Sequence, residues 1–278
     1  MGAFTQATAN NAVSMGHTTI AGGAASLAGG RKTLTKGDSS LAFGLANTEG
    51  GITASGKGSI AMGEGLGKIE ASGEGSVAIG LAQVEKTLTA SGYGALALGV
   101  NTTALGAAAT STGSNTTASG GNSFATGHTT EAKGNAAFAE GRQSIAYGQT
   151  SHAEGYKTKA GTEAGNVQYE SAHAEGYETT AIGIGAHAEG YKVRAIGLYS
   201  HAEGSSSGGE PKYYVEVGDY VFNNSAGDNI IANSGIAFSE NFECQVEYTD
   251  HSVEEITQIS RTAGKNSSDD WNLNTYGN

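Results

Sequence analysis

Proline is almost missing from this chain: 278 residues hold one, Pro211. Each proline removes a ladder hydrogen bond, so a long stack of paired strands tolerates almost none, whereas disordered linkers usually carry several. A single cysteine, Cys244, excludes a disulfide framework and a multi-cysteine zinc site. Aromatics make up 7% of the chain, charged residues 15%, and there is one Trp. The aliphatic positions are filled largely by alanine, which is too little bulk for a thick core. No run of about 18 apolar residues occurs, and MGAFTQATANNAVSMG lacks a basic segment followed by an apolar one. Neither a signal peptide nor a membrane-inserting segment is therefore expected. Basic residues are scarce too: the net charge is −12, and residues 205–278 hold 12 acidic against 3 basic residues. Phosphate contacts need clustered Lys and Arg, so no nucleic-acid partner is expected.

What the chain has is glycine, 45 of them, at a fixed step. They fall at 16, 23, 30, 37 and 44; at 56 and 63; at 73 and 80; every seven from 92 to 155; and every seven from 176 to 204. Between runs the step grows by 5, 3, 5 and 7 residues, which reads as insertions gathered at one corner of a repeat. Alanine stands two residues before most of these glycines, as in Ala61, Ala78, Ala97, Ala125 and Ala153. Side chains alternate along a strand, so a small residue followed by a turning glycine describes two short strands packed back to back with only methyl groups between them. Glycine in every second helical turn would cost about 1 kcal/mol each, which excludes helix. The unit is 14 residues, strand, turn, strand, turn, repeated in about 13 coils.

The residues flanking the alanine point outward, and the two half-repeats differ there. One class is apolar: Leu41 and Phe43, Ile60 and Met62, Val77 and Ile79, Leu96 and Leu98. The other is polar or small, as in Thr53 and Ser55, Glu70 and Ser72, or Glu131 and Lys133. Ile145 and Tyr147 break that rule and mark a possible contact patch. A dry stripe along a rod does not stay in water, and closure by rotation makes a homotrimer with the dry strands facing the axis the expected assembly.

The segments SIAMG, SVAIG and ALALG, alternating with TASG-type segments, resemble the head repeats of trimeric autotransporter adhesins of the YadA type. The SHAEGY variant resembles roll repeats of phage tail-fibre and tail-spike proteins. The resemblance covers about residues 10–204 and implies an all-β fold, a trimeric left-handed parallel β-roll.

In the same register His152 and Glu154 replace Val77 and Ile79, and His173 with Glu175, His187 with Glu189 and His201 with Glu203 follow. Glu140, beside Phe138, looks like the transition. The first reading pairs each imidazole with a glutamate of a neighbouring chain, a column that sets chain number and register as buried polar residues do in coiled coils. The second has axial rings of His152, His173, His187 and His201 binding a transition metal or an anion. Otherwise no metal, cofactor or catalytic residue is expected. The H-x-E of a deaminase lacks its P-C-x-x-C, and GEGLGK at 63–68 has the wrong spacing for a phosphate loop. Tyr156, Tyr177 and Tyr191 recur after the turn glycine, either packed over the next coil or offering a ladder to a sugar or peptide.

The expected organisation is a lead-in at 1–10, the roll at 11–204, a linker at 205–212 and a mixed β/α cap or tip at 213–278. In the cap YYVEVGDYVF and GIAFSENFECQVEY read as strands, and Ser252 with Glu255 reads as a capping box opening a helix over 253–263. NNSAGDN and SSDDWN read as turns rather than calcium loops. Together these point to a structural and binding protein rather than an enzyme, a trimeric phage or phage-derived tail fibre in the virion tail. It would attach to a glycan or protein of the bacterial surface and join other tail or baseplate proteins. The head of an autotransporter adhesin at the cell surface is the alternative, and a polysaccharide-cutting or self-cleaving tail spike the third.

Overall fold

The computed structural model describes residues 2–48, 51–162 and 171–204 in full, with the backbone of Ser205 and of short strands beyond it. The chain winds as a parallel β-solenoid of two facing sheets, one of 13 strands and one of 14, in which successive strands of a sheet come from successive coils. No helix occurs among the described residues.

The alanine columns lie where the seven-residue step puts them. Ala61, Ala78 and Ala97 pair in register in one sheet, Ala71, Ala90 and Ala104 in the other, and all six are fully buried. The corner glycines answer to stacking. A Cβ on Gly113 would overlap the carbonyl oxygen of Gly127, one coil on, and stand 2.9 Å from its nitrogen.

The core is not methyl groups alone, which corrects the sequence reading. Where the chain enters the second sheet, Ile52, Ile69 and Leu88 are fully buried in one column, in the coils that the insertions lengthen before Ile52, Lys68 and Thr87. In later coils the position is held by Thr102, Thr116, Thr130, Thr158 and Thr179, and finally by Val193. Thr130 and Thr179 donate to the carbonyls of Thr126 and Glu175, whereas the Oγ1 atoms of Thr102 and Thr158 are buried without a hydrogen-bond partner. Losing an unsatisfied buried hydroxyl is favourable, so Thr102→Val is expected to stabilise the roll by about 1 kcal/mol and Thr130→Val to destabilise it. Thermal melting of the two variants checks the difference in sign.

The insertions do not all share a corner. Three leave the first sheet, but the fourth follows Ala160, at the opposite corner, because Lys159–Ala160 still pairs with Ile145–Ala146 and with Thr180–Ala181. Ala3 bridges His17, and Gln6–Ala7 pairs with Ile20–Ala21, so pairing begins within the expected lead-in. At the far end, Glu216–Val217 lies antiparallel on Ser200–Ser205. The expected helix at 253–263 is replaced by strands Val253–Ile256 and Ile259–Arg261, the first paired with Cys244–Glu247 and the second with Trp271–Leu273. Val253, Ile256 and Ile259 are β-branched, and pairing satisfies the backbone that a capping box would otherwise serve. The linker at 205–212, the NNSAGDN turn apart from Asn229, and most of the cap lie outside the described residues.

Candidate functional site

The outward face of the 14-stranded sheet brings all sixteen sequence-predicted stripe residues onto one surface. From Val77 the column runs in register through Leu96, Thr110, Phe124, Phe138, His152, His173, His187 and His201. Its companion leads from Ile79 through Leu98 and Thr112 to Glu154, Glu175, Glu189 and Glu203. Leu41, Ile60, Met62 and the four histidines are half-buried within one chain, and Phe43 is 44% exposed. Sequence reasoning missed the interruption: Thr110, Thr112 and Thr126 separate the hydrocarbon coils from Phe124 and Phe138, and the Thr112 hydroxyl donates to that of Thr126 at 2.9 Å.

At Phe138 the stack changes character. Phe124 and Phe138 lie face to face at 5.0 Å, and Phe138 meets His152 edge-on at 4.8 Å. The imidazoles then stack nearly parallel, at 4.7, 4.7 and 4.8 Å. Each Nε2 faces a carboxylate of its own strand, two residues on: 3.4 Å for His152 and Glu154, 3.6 Å for His173 and Glu175, 3.8 Å for His187 and Glu189, 3.9 Å for His201 and Glu203. Within one chain, the carboxylate facing each Nε2 is thus that of its own strand.

Burial, and then the imidazoles of His173 and His201, hold His187 below the ordinary histidine range, against the opposing pull of Glu189 and Glu175. A histidine lowered in the fold binds its proton more readily when unfolded. Its contribution is therefore whole above the free value of about 6.5 and is lost as pH falls through the folded value. With a chelator present, hydrogen-exchange protection is expected to fall between about pH 7 and pH 5 in the coils from His173 to Ser205, and to hold in those from Val77 to Ala118. A uniform loss would contradict the column as its source.

On the neighbouring corner Tyr156, Tyr177 and Tyr191 stack on one another at 4.9 and 5.0 Å, with Arg142 and Lys157 over Tyr156 and Lys192 over Tyr191. Their faces are turned to each other and to cations, which suits packing and leaves little ring face for a sugar. Ile145 lies on the polar face between Glu131 and Lys159, and the Lys133 ammonium covers the Tyr147 ring at 4.7 Å. Neither makes an apolar patch. Insertion-loop residue Gln83 is anchored by Asn101, whose buried amide also reaches Asn115.

Residues 70–81, 90–116, 97–123 and 174–192 match the YadA head domain repeat, so the solenoid carries YadA-like head repeats. No curated protein matches the chain.

Proposed function

We propose that the protein is a trimeric, left-handed β-roll fibre that attaches to a bacterial surface. The observation that carries this is the in-register outward face from Leu41 to Glu203, apolar in its early coils and still half-exposed in one chain. Burying each apolar pair is worth a few kcal/mol, and threefold closure gives every copy the same partner surfaces. On the axis, the His-Glu layers would set chain number and register. Three copies of the loops at 66–67 and 83–86 and of the C-terminal region would then bind by avidity.

The His-Ala-Glu-Gly-Tyr coils favour a tail fibre over an autotransporter head, through their resemblance to phage roll repeats. The reading is of a binder, without a catalytic step. Light scattering on the purified chain is expected to give the mass of three chains. Labelled protein should bind host cells saturably and release no reducing ends from envelope glycan. A monomeric mass would overturn the trimer, and released reducing ends would move the protein to the tail-spike class.

A further inference from the structure

We propose that the His-Glu column is a row of transition-metal sites, one per coil, each built on the Nε2 and Oε2 of a His-Ala-Glu triplet. Two donors of a tetrahedral ion with bonds of about 2.1 Å stand about 3.4 Å apart. His152 and Glu154 already hold their donor atoms 3.4 Å apart, and the later pairs open gradually to 3.9 Å. Donors of adjacent coils also come within 4.8 Å of each other, as in His152, Glu154 and His173, but two stacked imidazoles are poorly placed to share one ion. The imidazoles lie parallel at 4.7–4.8 Å, so their lone pairs run side by side, farther apart than the about 4.2 Å that two donors reach even on opposite sides of one ion.

The donor atoms are available for this. Nε2 of His152, His173 and His187 is buried and makes no hydrogen bond. Imidazole with carboxylate selects a borderline ion such as zinc over calcium or magnesium, which take oxygen ligands alone. One chain supplies two ligands per ion, so a closed coordination shell needs the neighbouring chains. The inference therefore rests on the trimer proposed above.

The test uses the untagged full chain, stripped with EDTA, incubated with zinc chloride at about pH 7.5 and desalted. Zinc content and light-scattering mass are then read on the same sample. The expected result is a trimer retaining one ion per His-Glu pair, three in each threefold layer. Retention should be lost when His152, His173, His187 and His201 are all changed to Gln, with the β-sheet circular dichroism signal kept. His17, His128 and His251 remain in that variant as a control for incidental binding. Magnesium chloride should leave nothing bound.

A trimer without zinc, or a Gln variant that keeps zinc, overturns the metal site while leaving the fibre reading standing. A monomer holding zinc on each pair, lost in the Gln variant, supports the paired ligands and overturns the trimer. A monomer without zinc overturns both.

Discussion

Gly113→Ala is expected to cost about 3–5 kcal/mol and to lower the melting midpoint by roughly 10 °C, while Gly94→Ala, at the other corner of the preceding coil, is expected to be nearly neutral. Both glycines have positive φ, but +62° lies in the left-handed region that Ala108 and other residues occupy, whereas +108° is taken only by glycine among the described residues. Contact separates them further. A Cβ at 113 would enter the backbone of Gly127, 3.0 Å from its carbonyl carbon, and that backbone is held in turn by the next coil. At 94 a Cβ would meet nothing within 4 Å, and the equivalent position one coil later is already alanine, Ala108, at φ 53°. Thermal melting of the two variants side by side checks this, and equal losses would contradict stacking as the reason for the glycine column.

Leu98→Asp is expected to convert three associated chains to single chains, with the roll itself retained. Leu98 points out of the sheet between Ile79 and Thr112 and is half-buried in one chain. In the proposed trimer the substitution places three carboxylates around the axis among Ile79 and Leu96. Each buried charge without a partner costs several kcal/mol, so association should weaken by more than about a thousandfold. Thr117→Asp, on the polar face beside Glu131, is the matched control and should leave the mass unchanged. Light scattering on both variants decides it. A Leu98→Asp protein that keeps the mass of three chains would mean that the apolar stripe is not the interface.

The His-Glu column connects these two results. A parallel solenoid repeats every outward side chain at strand spacing, so a single His-Ala-Glu triplet becomes a stack wherever the repeat holds. That amplification lets a three-residue motif behave as a site. It also explains why the metal response is expected in the coils from His152 onward, and the proton response around His187, and neither in the hydrocarbon coils before them.

The sequence alone determined the period, the two sheets and the facing of each strand. Stacking allows no side chain where glycine recurs, and almost none where alanine does, so the seven-residue step was legible without coordinates. The same step placed His152 over Val77 in a column that structure then traced pair by pair. Tertiary structure decided what depends on distance rather than order. Only the fold showed that Ile52, Ile69 and Leu88 share one buried column in the lengthened coils, since an insertion's effect on the core is set by the coils above and below it. Only pairing moved the fourth insertion past Ala160 and turned the capping-box segment at 253–256 into a strand, because a partner strand outweighs a local helix signal. Only the fold gave the spacing within each triplet, 3.4 Å between His152 Nε2 and Glu154 opening to 3.9 Å at His201 and Glu203, because strand twist and not residue order sets it.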